Sequence, residues 1–211
     1  MTTSDTAQRL QELALAGNWA EVSPLAEETA LFNTRLLFIT ALELAAGERN
    51  EEAAAVSASL NGPMAALIKA LLKGSLEDIL ASPSRSVIAD AWVSLVDPVV
   101  SRSSEAAALQ FALLAPAVAD DASRLEGAKP FYDNGLWQAA AQILGTIPAG
   151  SPLADKDFFR RLGIALYRSE DYHNAAAALT AAADLGDDSP EILAYLTWLQ
   201  KKLAEGGAEH E

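Results

Sequence analysis

Residues 156–190 carry apolar side chains at the spacing of an α-helix, and this pattern constrains the fold more than any other part of the chain. One stripe of the first predicted helix consists of Phe159, Leu162 and Leu166. Gly163 lies on that stripe and has no side chain, so we expect a second helix to approach there, with Ala175 as the small residue that meets it. The turn at residues 169–171 offers capping side chains for this second helix.

A related pattern occurs one unit earlier in the chain. Trp137 precedes Tyr172 by 35 residues, and Ala140 precedes Ala175 by the same number. Agreement at two positions indicates an internal repeat of helical hairpins, since a period near 34 residues is typical of such arrays.

Residues 156–190 resemble the tetratricopeptide repeat (TPR) in the spacing of their large, small and helix-starting residues. The residues that carry the resemblance are Phe159, Leu162, Gly163, Leu166, Tyr167, Tyr172, Ala175, Leu179, Ala182 and Pro190. The resemblance implies antiparallel hairpins stacked as a right-handed superhelix, an α-solenoid whose first helices line a concave groove. We therefore expect one all-α domain over residues 1–205 and a disordered tail over residues 205–211.

Looser hairpins are predicted in residues 4–60. A first helix runs from Ser4 to about Ala16, and a second begins at Trp19 after a turn. The next hairpin has a turn at residues 46–50 that is one residue longer than the turn of the 156–190 unit. Its first helix carries the stripe Leu37, Ala41 and Leu44, and its return helix carries Ala53, Val56 and Leu60.

Residues 63–130 remain helical in pattern but lose the fixed offsets of the repeat. We interpret them as degenerate repeats, the alternative being an inserted helical segment. The predicted helices cover 64–73, 76–81, 87–96 and 103–119, and Asp97-Pro98 interrupts the third. Residues 131–204 contain the C-terminal TPR-like repeats and a last helix that ends near Ala204.

The composition favours a helical, acidic protein. About half of the residues are apolar, with alanine and leucine prominent, and the formal net charge is −14. This charge repels phosphate backbones, so we expect no nucleic-acid partner. No apolar run is long enough for a membrane helix, the first residues lack the pattern of a signal peptide, and the chain has no cysteine. These features favour a cytoplasmic location.

No group of residues predicts catalysis, a metal site or a cofactor site. The two histidines, His173 and His210, have no partner at metal-ligand spacing. The acidic pairs Asp120-Asp121 and Asp187-Asp188 fall at predicted helix ends, where solvated or helix-starting charges are expected. We therefore expect a protein that is not an enzyme.

A helical wheel at about 100° per residue separates a groove side from the buried stripes of the C-terminal helices. The predicted partner-binding residues are Arg160, Ile164, Tyr167, Arg168, Ala194, Trp198, Lys201 and Lys202. Some TPR proteins clamp a C-terminal carboxylate with Lys and Asn at set groove positions. Arg160 occupies one such position, but Ile164 and Ala194 replace the expected polar residues, so the resemblance does not extend to that clamp.

These residues predict a groove for an acidic or amphipathic protein segment, since arginine and aromatic side chains are favoured in binding hot spots. The function implied is a non-enzymatic adaptor, scaffold, or assembly or secretion chaperone. One alternative is a structural subunit that self-associates or joins a larger complex through its terminal helices, with Trp198 packed internally or on a second copy. A less favoured alternative is an enzyme with its site in residues 63–130.

Overall fold

A computed structural model describes residues 19–207, and every regular element in that range is an α-helix. This confirms the prediction of an all-α chain. The helix predicted over residues 4–16 lies outside the described residues. The helices are α1 (Trp19–Ala46), α2 (Asn50–Ser57), α3 (Gly62–Lys73), α4 (Glu77–Leu80), α5 (Arg85–Arg102), α6 (Glu105–Ala112), α7 (Ala115–Val118), α8 (Asp121–Asp133), α9 (Trp137–Leu144), α10 (Lys156–Arg168), α11 (Tyr172–Asp184) and α12 (Pro190–Gly207).

The first described helix, α1, is a single element of 28 residues. The sequence predicted two helices here, one starting at Trp19 and one carrying the stripe of the next hairpin, so this division is wrong. The buried residues are also shifted by one position. Phe38 and Leu42 are fully buried together with Ala41, whereas Leu37 is 37% exposed. The apolar residues at 36–39 occupy consecutive positions, so periodicity alone did not decide which of them faces the core.

Three helical hairpins have turns of the same length and backbone geometry. Three residues connect α1 to α2, α8 to α9 and α10 to α11, and the middle residue of each has a left-handed backbone: Glu48 (φ 60°), Gly135 (φ 76°) and Glu170 (φ 65°). In each turn the next backbone N–H donates to a carbonyl five residues earlier, with N–O distances of 2.9–3.0 Å. This is the hydrogen-bond pattern of a Schellman C-cap. The prediction of a longer turn at residues 46–50 is therefore wrong.

Small residues follow these turns at equivalent places. Ala53, Ala140 and Ala175 each lie four residues beyond the turn hydrogen-bond donor and are fully buried. Gly163 does permit a close helix approach, but its nearest neighbour is Leu179 rather than the predicted Ala175. A Cβ at Gly163 would lie 2.5 Å from Leu179 Cγ and 3.1 Å from its backbone nitrogen. No larger residue fits there without movement of α11.

Helix α5 is the centre of the middle region and contacts α1, α3, α4, α6, α7 and α8. Its fully buried Trp92 stacks on Phe111 at 5.4 Å between ring centroids, and Trp92 Nε1 donates to the Phe111 carbonyl at 3.3 Å. The helix continues through Pro98 to Arg102, so the predicted interruption at Asp97-Pro98 is wrong. The proline removes the bond to the carbonyl of Ser94, which is an exposed residue.

The segment after α5 begins as predicted, because Ser104 caps α6 with its hydroxyl accepting from the Ala107 N–H at 3.3 Å. The predicted continuous helix to Ala119 is wrong, since α6 ends at Ala112 and α7 restarts at Ala115. Pro116, without an N–H, sits at the start of α7, where no helical bond is needed from it.

Arg124 holds the end of this segment against the next hairpin. Its side chain is 13% exposed and donates to the carbonyls of Ala119 (2.9 Å), Thr146 (2.9 Å) and Pro116 (3.3 Å). From α8 onward each helix packs on the next one, α8 on α9, α9 on α10, α10 on α11 and α11 on α12, while α8 also contacts α5 and α9 also contacts α6. We call α8–α12 the C-terminal stack. Its last helix extends to Gly207, beyond the predicted end near Ala204.

Candidate interaction surface

The hairpin turns of the C-terminal stack carry repeated aromatic pairs. Tyr132 contacts Trp137 with ring centroids 5.1 Å apart, and Tyr167 contacts Tyr172 at 6.0 Å. Both members of the second pair follow those of the first by 35 residues. In each case the last turn of one helix supplies a tyrosine, and the first residue of the next helix supplies its partner. The sequence repeat therefore corresponds to a repeated side-chain contact.

Helix α12 adds two aromatic rings to the second pair. Trp198 lies 5.1 Å from Tyr167 and 5.3 Å from Tyr172, and Tyr195 lies 4.8 Å from Tyr167. The tyrosines are half-buried, whereas Trp198 is 41% exposed. Trp198 thus packs internally on one side and presents its other side to solvent. We define the C-terminal aromatic surface as Tyr167, Tyr172, Tyr195 and Trp198.

Arg168 is exposed next to this surface. Its guanidinium carbon lies 5.8 Å from the centroid of the Trp137 ring, which is within the range of a cation–π contact. The arginine therefore joins the first aromatic pair to the second across the α9–α10 contact. The other predicted cations, Lys201 and Lys202, are exposed on α12, and Lys201 Nζ is 3.9 Å from a carboxylate oxygen of Glu205.

Arg160 has a structural partner, unlike the free groove cation that the sequence suggested. Its Nη2 donates to Asp157 at 2.5 Å, and its Nη1 donates to Asp187 at 3.2 Å. The Asp187 side chain is 5% exposed, so this contact is an inward-facing ion pair between α10 and the loop before α12. Arg160 therefore anchors the last helix.

The remaining predicted residues divide between the core and the surface. Ile164 is 8% exposed and belongs to a small core with Ala175, Leu179, Ile192 and Leu199, so it does not lie at an open groove. Ala194 is exposed on α12. The structure thus brings together Tyr167 and Trp198 from the predicted set and places Ile164 and Arg160 in supporting roles.

Trp137, Tyr172 and Tyr195 also form the aromatic contacts, although they lie outside the predicted partner-binding set. In the sequence, Trp137 and Tyr172 mark the 35-residue offset of the repeat. Each is half-buried, with a ring edge that both packs and meets solvent. The aromatic residue that recurs at the first position after each turn is the sequence signal that indicates Trp137 and Tyr172.

Two ionisable groups under this surface have shifted pKa values. Burial raises the pKa of the Tyr132 hydroxyl, Tyr195 and Glu191 raise it further, and Arg160 and Arg161 act in the opposite direction. Hydrogen bonding from Ser189 lowers the pKa of the Asp187 carboxyl, and the charge of Arg160 contributes to the same shift. Asp187 therefore remains ionised beside Arg160 at neutral pH.

The other polar residues considered from the sequence occupy surface and capping positions. His173 is exposed, and Asp120 caps α8 by accepting from the Ser123 N–H at 2.8 Å. Asp171 caps α11 through the Asn174 N–H at 3.3 Å, as its position in the turn predicted. Within residues 19–207, no group of three or more acidic or histidine side chains is arranged to hold a metal ion. Over the same range, no helix is both long and apolar enough to cross a bilayer.

No protein-family model, curated protein or solved structure matches the chain. The fold and the surface define an all-α protein with a repeated aromatic contact at its C-terminal end.

Proposed function

We propose that this chain is a non-enzymatic protein-interaction module, an adaptor, scaffold or assembly chaperone of the cytoplasm. Its hairpins form a single domain, a TPR-like α-solenoid with degenerate repeats in the middle. The shared turns, the buried alanines that follow them and the sequential contacts of α8–α12 support this stacking.

The single observation that carries the proposal is the C-terminal aromatic surface. Tyr167 and Tyr172 contact Trp198, and Tyr195 packs on Tyr167, yet 41% of Trp198 stays exposed. Rings that are already packed lose little conformational entropy when a partner covers them. Tryptophan, tyrosine and arginine are also the residue types most enriched in binding hot spots. The arrangement therefore favours recognition of another chain.

The charges beside the surface support an acidic or amphipathic partner segment. Arg168 and Lys202 are exposed near an aromatic surface on a protein whose formal net charge is −14. Such a local reversal of charge attracts acidic segments and orients them toward the rings. An amphipathic segment would place its apolar side on Trp198 and its acidic side on these cations.

Site-specific photo-cross-linking tests this function. A cross-linking amino acid at Thr197, an exposed neighbour of Trp198, is expected to capture a discrete protein in cells, and one at exposed Ser94 on α5 is not. With the captured protein purified, Trp198→Ala should weaken its binding by more than about tenfold. Leu80→Ala is the matched control, since Leu80 is 50% exposed in the distant helix α4. Equal binding by both variants would refute the proposed surface.

Self-association is the second candidate function, because the terminal region exposes further large apolar side chains. Leu193 is 53% exposed on α12, and Leu185 is 54% exposed in the loop before it. Two copies that meet through these residues and Trp198 would bury all of them. Sedimentation velocity over a range of concentrations should then show a dimer that Leu193→Glu dissociates, whereas a monomer throughout would exclude this candidate.

A further inference from the structure

A cleft of about 420 Å³ lies between α1, α5 and α8, away from the C-terminal aromatic surface. This volume is in the range of small-molecule sites. Its apolar lining is Leu36, Ile39, Pro98, Val100 and Pro130, contributed by all three helices. The cleft is therefore able to take the apolar body of a small molecule.

Arg35 brings a buried donor without a hydrogen-bond partner to this cleft. Its Nε is buried and has no hydrogen-bond partner, and Arg35 forms no ion pair with any residue that the structure describes. Buried donors in native proteins are almost always satisfied, so an unsatisfied one requires an explanation. An acceptor that enters the cleft would supply it.

The neighbouring polar groups favour an anion over a neutral ligand. Ser101 Oγ already donates to the Asp97 carbonyl at 2.8 Å, and Asn134 Nδ2 donates to the Pro130 carbonyl at 2.9 Å. Two arginines, Arg35 and Arg102, line the cleft against the single carboxylate of Asp97. Arg35, which has no ion pair among the described residues, is the cation of this lining that is available to an anionic ligand.

We infer that this cleft binds a small monocarboxylate with an apolar body. The carboxylate accepts from the Arg35 guanidinium, whose planar fork matches its two oxygens. The body lies against Leu36, Ile39 and Val100. The Asp97 carboxylate in the same lining disfavours ligands with two or more negative charges, such as phosphate esters.

Isothermal titration with a defined series of acids tests the inference. The probes are acetate, hexanoate, octanoate and phenylpropionate, with octanamide as the neutral analogue of octanoate. We expect affinity to rise with the size of the apolar body, and octanamide to bind at least about tenfold more weakly than octanoate, because it lacks the charge-assisted hydrogen bonds.

Variants locate the site. Arg35→Gln should weaken octanoate by at least about tenfold, and Arg35→Lys should fall between Gln and the natural residue, because lysine retains the charge but not the fork. Arg49→Gln is the matched control, since Arg49 is exposed on the turn after the same helix. Circular dichroism and thermal unfolding of each variant confirm folding before titration.

Three results would overturn the inference: no acid of the series binds, octanamide binds as well as octanoate, or folded Arg35→Gln and Arg35→Lys both keep the natural affinity. Trp198→Ala should leave octanoate binding unchanged. The cleft and the proposed function therefore stand or fail separately.

Discussion

In the C-terminal stack each helix packs on the next one along the chain, whereas in the middle region α5 contacts helices that precede and follow it by many residues. The stack is held by small residues that allow close approach, such as Gly163 and Ala175. The middle is held by large rings, with Phe111 between Trp92 and Phe131 at 5.4 and 6.4 Å. Local contacts repeat with the sequence, and non-local contacts around one tryptophan do not.

The largest expected effect is on the middle region. Trp92→Ala should lower the free energy of unfolding by about 4 kcal/mol, because it leaves a cavity beside Phe111 and removes a buried hydrogen bond. Denaturant unfolding measures the loss, and hydrogen exchange should show reduced protection in all the helices that contact α5. Val93→Ala is the control, since Val93 is next to Trp92 in the chain but its side chain is 44% exposed. Equal losses for the two variants would contradict the central role of α5.

A smaller effect is expected in the stack. Gly163→Ala should lower the free energy of unfolding by about 2–3 kcal/mol, because the added methyl group meets Leu179 at a distance that no real Cβ contact shows. The loss of exchange protection should be confined to α10, α11 and α12. The control is Gly150→Ala, a glycine with no atom within 4 Å of an added Cβ. Loss of protection in α5 would show that the two regions unfold together.

The shared turn predicts opposite effects at equivalent positions. Glu170→Gly should raise the free energy of unfolding by about 1 kcal/mol, because glycine adopts the left-handed backbone without strain. Gly135→Ala should lower it by about the same amount for the reverse reason. Thermal or denaturant unfolding of both variants checks the pair. The same sign for both would mean that the two turns are not equivalent.

The smallest expected effect is the pH dependence from Asp187. Because its pKa is lowered in the folded state, its contribution is complete above the unfolded pKa of about 4 and is lost as the pH falls through the folded pKa. Asp187→Asn should therefore destabilise the stack at pH 7, and its deficit should shrink below about pH 4. Urea unfolding at the two pH values measures the difference. A deficit that stays constant with pH would exclude the ionised pair with Arg160.

Several features could be predicted from the sequence because they depend on neighbouring residues. The helical content, the capping turn at residues 169–171 and the end of the predicted helix at residue 73 all follow from local side-chain chemistry. The wrong predictions concern positions where the neighbouring residues in the sequence do not determine the local structure. Helix α5 continues through Pro98 because its packing outweighs one lost hydrogen bond.

The candidate site was predicted in part for the same reason. The helical wheel reports direction on one helix only, and it placed Tyr167 and Trp198 on the predicted groove side; their part in partner binding stays a prediction. The wheel could not show that Arg160 pairs with Asp187 or that Ile164 packs with Leu179 and Ile192, because those partners lie on other elements. No sequence pattern indicates a binding role for Arg35, since its cleft forms only where three helices meet.

By itself, the sequence determined an all-α chain with a repeated hairpin near its C-terminal end, since propensity, caps and the 35-residue offset act over short distances. Only the tertiary structure decided which cations are paired, which aromatic rings stay exposed and where a cleft remains. Those properties depend on which surfaces meet, and this is determined by the close packing of helices that are distant in the chain.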